Sequence, residues 1–156
     1  MDPDWNRETL THFWDPPRQL LKSLRGYQRG SRFTRWFHVL AHRFWSAVTG
    51  SDIPINSMLG GGLLIPHPTG IVIHPAARIG TNCLIMQQVT IGGSRGAGVP
   101  TIGDGVDIGP GAKILGGVTI GDGAIVGACS LVLKNVPAGA VAYGVPATVR
   151  RLRDES

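Results

Sequence analysis

The sequence predicts a mainly β chain: a parallel hexapeptide solenoid of about five coils behind a short N-terminal α-helical arm. Three observations predict it. From residue 53 onward an aliphatic residue recurs at every sixth position, a small or aliphatic residue follows each one four positions later, and glycine sits directly behind many of the aliphatics.

The arm, residues 1–50, comes first. Phe33, Trp36, Phe37, Leu40, Ala41, Phe44, Trp45 and Val48 fall at three- and four-residue spacings, which predicts an amphipathic helix over Thr34 to Val48 ending near Gly50. Asp15-Pro16-Pro17 breaks an earlier helical stretch and predicts a second helix opening at Pro16 or Pro17. Three of the four tryptophans and three of the four phenylalanines lie at or before Phe37, so the arm is expected to bury its aromatics against something. It also holds eight Lys/Arg against four Asp/Glu, while residues 51–149 hold four of each. A solvated helix face explains such a surplus without nucleic acid, and peripheral membrane contact through the arm stays open.

The repeat domain, residues 51–147, follows. Ile73, Ile79, Ile85 and Ile91 stand six apart, and the register resumes at Ile102, Ile108, Ile114, Ile120, Val126 and Val132. Upstream, Ile53, Leu59 and Ile65 share it, with a step of eight from Ile65 to Ile73. The fourth-position partners include Ala77, Cys83, Val89, Val106, Ala112, Val118, Ala124, Ser130 and Val136. A helix needs period 3.6 and a half-buried strand period two, and this glycine density weakens either. A solenoid fits: each hexad makes a short strand and a turn, and three close a triangular coil of about 18 residues. The tail, residues 148–156, is basic, with Arg150, Arg151 and Arg153.

Composition narrows the class. With 156 residues, 42% hydrophobic and 16% charged, the chain fits one domain plus an appendage. Its 23 glycines lack a collagen-like triplet period. Cys83 and Cys129 form no CxxC pair, and no leader-like segment is recognisable, so a reducing cytoplasm is expected. A three-histidine zinc site is disfavoured, because His67 and His74 stand seven apart and the solenoid holds no third histidine. No metal is expected. His74, in a turn before Pro75, reads as structural, and Asp104, Asp107 and Asp122 suit corner turns.

Four segments carry a resemblance: Ile65-Pro-His-Pro-Thr-Gly-Ile-Val-Ile73, Gln88-Val-Thr-Ile-Gly-Gly93, Gly111-Ala-Lys-Ile-Leu-Gly116 and Gly144-Val-Pro-Ala147. Over residues 34–150 the chain resembles the hexapeptide acyltransferases, closest to the serine acetyltransferase branch. The resemblance implies a left-handed coil, although parallel crossovers are right-handed in about 98% of cases. It implies acetyl-CoA as acyl donor, a small-molecule hydroxyl acceptor, and a homotrimer with sites between subunits.

By the same resemblance His67 is the catalytic base, and Asp52, 15 residues earlier, is the carboxylate that orients it. The chemistry agrees, since a hydroxyl is a weak nucleophile until a neighbouring imidazole takes its proton. Backbone N–H groups at Gly92 and Gly93 would stabilise the charge that develops on the thioester oxygen. CoA is expected along the later coils, by Ala112 and Lys113, with its phosphates near Lys134, Arg150 and Arg151.

The acceptor side departs from the branch. Pro66 stands where the serine enzymes place an aspartate, and the loop from Gly92 to Thr101 is shorter and lacks an Asp-Arg-His segment, leaving Arg95 to substitute. A sugar or surface polysaccharide is therefore the alternative acceptor. The chain closes on Arg-Asp-Glu-Ser, so no complex with the sulfhydrylase partner of the serine enzymes is expected.

Overall fold

The computed structural model describes residues 1–94 and 96–151, Arg151 by its backbone alone. Helix α1 spans Pro16–Arg29 and α2 spans Arg35–Thr49, after a short 3₁₀ turn at Trp5–Glu8. Asp15 starts α1: its carboxylate accepts from the backbone N–H of Arg18, and Pro16 and Pro17 fill the first turn, where an N–H is not needed. Gly50 ends α2 in the left-handed region at φ 62°, which a residue with a Cβ adopts only at a cost.

The solenoid has three walls of parallel strands. The first holds β1 (Met58–Leu59), β3 (Arg78–Ile79), β6 (Thr101–Ile102) and β9 (Thr119–Ile120). The third holds β2 (Val72–Ile73), β5 (Thr90–Gly92), β8 (Lys113–Leu115) and β11 (Leu131–Val132). Between them the second wall holds β4 (Leu84–Ile85), β7 (Asp107–Ile108), β10 (Ile125–Val126) and β12 (Ala140–Gly144). Isolated bridges extend each wall, at Asp52 with Val72, Leu64 with Leu84, and Ile120 with Val136.

The register explains the sequence spacing. Thr101 pairs with Thr119, eighteen residues on, the plain three-hexad coil. Met58 pairs with Arg78, twenty on, because that coil contains the eight-residue step after Ile65. Arg78 pairs with Thr101, twenty-three on, because that coil contains the loop after Ile91. Both irregularities are absorbed at corners, and every aliphatic of the six-residue register, from Ile53 to Val132, is buried. Ile85, Ile91, Ile108, Ile114 and Ile120 are fully enclosed, each contributing roughly 1.5–3 kcal/mol through burial.

Two features differ from the sequence expectation. Thr148 to Arg151, read as the start of a tail, lie in β13 (Ala147–Arg151), which folds back antiparallel on β12. Gly144-Val-Pro-Ala147 is thus the turn of a hairpin that closes the second wall. The arm, moreover, buries few of its aromatics. Leu20, Leu21 and Leu24 of α1 plug the open end of the prism, but Phe13, Trp14, Phe33, Trp36, Phe37 and Phe44 are exposed. Aliphatic leucines fill the narrow prism end better than indoles would.

Candidate active site

The two extra residues between Ile65 and Ile73 make the turn Pro66–Gly70, which carries His67. Ile71 and Pro68 point inward, and closure comes from the Ile71 N–H donating to the Pro68 carbonyl at 3.1 Å. With both flanking prolines fixed in φ, His67 is held out into solvent. Gly70, at φ 71°, belongs to a ladder of left-handed corner residues running from Gly50 through Gly70, Gln88 and Gly111 to Cys129. Each donates its N–H to the coil above: Gly70 to Gly50, Gln88 to Thr69, Gly111 to Gln87, Cys129 to Pro110. The His67 turn is therefore clamped from both sides.

Asp52 occupies the first rung of the third wall. Its N–H donates to Ile71 at 2.8 Å, its carbonyl accepts from Ile73 at 2.9 Å, and its carboxylate is exposed. It lines a cleft of about 360 Å³ between α2 and the first coil, with His42, Arg43, Ser46 and Ser51. Among the described residues no hydrogen bond or ion pair joins Asp52 to His67 or to Arg43. Asp52 and His67 sit on adjacent coils without a bond between them.

Lys113 reaches the ladder of corner residues: its Nζ donates to the Gln88 carbonyl at 2.7 Å and to Thr90 Oγ1 at 3.1 Å. Gln88 lies directly beneath Gly70, so the ammonium stands one coil below the His67 turn. Ala112 buries its side chain completely and its N–H and carbonyl both serve the coil, so it offers a ligand nothing but shape.

Gly92 and Gly93 lie at the opposite edge of this wall, Gly92 as the last residue of β5 and Gly93 just after it. The Gly92 carbonyl accepts from Gly116 at 3.0 Å, whereas the Gly93 N–H finds no acceptor among the described residues. From the clamped corner to Gly92 is the width of the wall, four residues or roughly 13 Å. One chain therefore does not bring His67 and this loop together. Exposed Lys134 follows β11 on the Gly92 edge. Arg150 pairs in register with Val141 and stacks over the Tyr143 ring at 5.8 Å, on β13 at the end of the second wall. Arg151 is placed by backbone only, opposite Ala140, and Arg95 and residues 152–156 lie outside the described residues.

Pro66 helps line a cavity of about 160 Å³ under α1, with Arg7, Asp15 and Arg18. Sequence reading missed these arm residues, since nothing linear ties residues 7–18 to residue 66. Burial pushes the Asp15 carboxyl up, but the Thr11 N–H and the Arg18 guanidinium at 3.0 Å outweigh it and hold the group below its usual range. His74 is structural: its Nδ1 accepts from the Ala76 N–H at 3.1 Å. Among the described residues no three His, Cys, Asp or Glu side chains cluster to hold a metal.

A triangular prism of hexads with one histidine-bearing break defines a hexapeptide-repeat protein, and the family described as "Bacterial transferase hexapeptide (six repeats)" matches residues 100–134. A serine acetyltransferase of Mycobacterium tuberculosis is 39% identical over 132 residues, covering 73% of this chain and 58% of the relative. The solved serine acetyltransferase of Neisseria gonorrhoeae superposes with a TM-score of 0.77 at 35% identity, over 92% of this chain and 57% of that one. A serine acetyltransferase solved in complex with CoA gives 0.76 at 32% identity, over 88% of this chain and 58% of that one. The chain belongs to the hexapeptide-repeat acyltransferase family, in its serine acetyltransferase branch. It spans just under three-fifths of the length of these relatives.

Proposed function

We propose that the chain is an acetyl-CoA-dependent O-acetyltransferase acting on serine, with His67 as general base and Asp52 as its orienting carboxylate. The observation that carries this reading is the Pro66–Gly70 turn. At the eight-residue interruption of the register, two prolines and two flanking coils hold a solvent-facing imidazole, in a chain similar to serine acetyltransferases. In the reaction the His67 imidazole takes the hydroxyl proton as the oxygen attacks the thioester carbonyl carbon. When the C–S bond breaks, the imidazolium returns that proton to the departing sulfur. The Gly93 N–H stabilises the oxyanion between these steps.

The separation of His67 from Gly92–Gly93 supports a site shared between copies, hence a homotrimer of left-handed solenoids of about five coils. Along the Gly92 edge the donor's pantetheine lies beside the wall and its phosphates meet Lys134, with Arg150 and Arg151 as further cations. The similarity to a CoA-bound serine acetyltransferase supports that donor. Pro66 borders the acceptor.

Incubation of the purified chain with acetyl-CoA and L-serine, followed by thiol release, tests the reading. Turnover is expected, and His67→Ala is expected to lower kcat by about 10²- to 10⁴-fold. Full activity in His67→Ala removes the base assignment. Turnover with a sugar but not with serine replaces the acceptor.

A further inference from the structure

Helix α2 is inverted relative to an ordinary surface helix. His42 and Thr49 are buried and Trp45 packs on the core, whereas Trp36, Phe37, Leu40, Phe44 and Val48 are between 42% and 59% exposed. At 3.6 residues per turn these five side chains form one continuous stripe facing away from the solenoid. Isolated exposed hydrophobics are ordinary, but a contiguous aromatic stripe marks a surface that meets something.

Charge identifies what it meets. Residues 16–51 contain seven Lys/Arg and no Asp or Glu. Arg18 is paired with Asp15 and Arg25 with Glu8, and Arg35 lies over the Tyr27 ring of α1 at 5.2 Å; the exposed Arg32 and Arg43 have no carboxylate partner among the described residues. A second copy laid on this stripe would bring the same cations against these. An anionic surface neutralises them.

We propose that α2 seats the chain on an anionic bilayer surface. Trp36, Phe37, Leu40 and Phe44 enter the headgroup boundary, where indole and phenyl rings are favoured, and Arg32 and Arg43 meet lipid phosphates. The helix lies in the interface rather than crossing it, since no helix among the described residues is long and apolar enough to span. The seat is at the arm end of the solenoid, the end at which the Gly50 carbonyl accepts from Gly70 of the His67 turn at 2.8 Å.

Flotation of the full chain with vesicles of phosphatidylcholine, alone or mixed with phosphatidylglycerol, tests this without reference to catalysis. The chain is expected to float with the mixed vesicles, to stay down with the neutral ones, and to be released as salt is raised. Phe37→Ser/Leu40→Ser is expected to weaken binding at least about tenfold. Arg32→Gln/Arg43→Gln, which alters exposed positions without an ion-pair partner, is expected to weaken it at least about fivefold. Failure to float with either vesicle, or equal flotation with both, overturns the proposal. So does a Phe37→Ser/Leu40→Ser variant that binds vesicles like the parent but sediments with fewer subunits, which would make the stripe a contact between copies.

Discussion

His42 of α2 donates its Nε2–H to the Ile53 carbonyl across 2.8 Å, and its Nδ1 faces the Ser23 hydroxyl of α1 at 3.1 Å. A carbonyl can only accept, so the proton of the neutral ring sits on Nε2, while the Ser23 hydroxyl gives its one proton to the Leu20 carbonyl at 2.6 Å and Nδ1 lies beside its oxygen. One imidazole thus joins both helices to the first coil.

This arrangement makes stability depend on pH. Burial disfavours the imidazolium and lowers the His42 pKa below 6.5, against the smaller opposing effect of the neighbouring Ile53 and Leu20 carbonyls. The unfolded chain therefore takes up this proton first as pH falls. The contribution of His42 is complete above pH 6.5 and declines below it, by at most about 1.4 kcal/mol per pH unit, until the folded-state pKa is passed. Thermal unfolding of the parent and of His42→Gln, which keeps a donor for Ile53 but cannot titrate, checks this. The parent should lose Tm faster on acidification below pH 6.5, and parallel profiles would refute the assignment.

Asp15 gives the opposite window. Its folded-state pKa lies below 3.8, so its stabilisation is present above pH 3.8 and disappears as pH falls through the lowered value. Asp15→Ala removes the α1 cap and the Arg18 pair and is expected to cost about 1–2 kcal/mol near neutrality. Asp15→Asn retains the cap and should cost less. Urea unfolding of both variants near neutrality and in acid distinguishes these contributions, since the gap between Asp15→Asn and the parent closes in acid.

Much of the fold is legible because a solenoid is local: each Ile of the hexad register meets the one a coil away, so spacing alone gives burial. Asp15-Pro16-Pro17 and Gly50 mark helix ends for equally local reasons. The orientation of α2 is not local. Its 3.6-residue pattern shows that an apolar stripe exists, but the stripe faces solvent because His42 is tied to Ile53 on the other side. Arg150 could not be read as a strand residue, since its partner Val141 matters only after the hairpin has turned. His67 stood out as a break in period, yet its distance from Gly92–Gly93 depends on which edge of a wall each corner occupies.

The glycines directly behind many of the aliphatics give a third prediction. A Cβ at Gly103 would enter contact distance of the Asp122 carboxylate and backbone on the next coil, where Asp122 Oδ1 accepts from the Asp104 N–H at 2.8 Å. Gly103→Ala must spread two rungs and is expected to destabilise by about 1–3 kcal/mol. Ile114→Ala, which empties a fully buried site, is expected to cost about 2–5 kcal/mol. Denaturant unfolding should show both losses with little change in m-value.

Asp52 and His67 occupy adjacent coils without a bond between them, so the carboxylate acts on catalysis only if the imidazole turns towards it when substrates bind. If Asp52 is the positioning residue for His67, Asp52→Asn should lower kcat about 10- to 100-fold, the worth of one hydrogen bond to a charged group. It should also alter the pH dependence of kcat, because the charged ring formed in the reaction loses its compensating carboxylate. In the double variant with His67→Ala the second loss should vanish, since a residue acting through another adds nothing once that one is gone. Acetyl-transfer rates against pH for the parent, both single variants and the double variant measure all three effects. An Asp52→Asn enzyme with an unmoved pH profile, or losses that multiply in the double variant, would place Asp52 outside the proton path, as a wall of the cleft beneath α2.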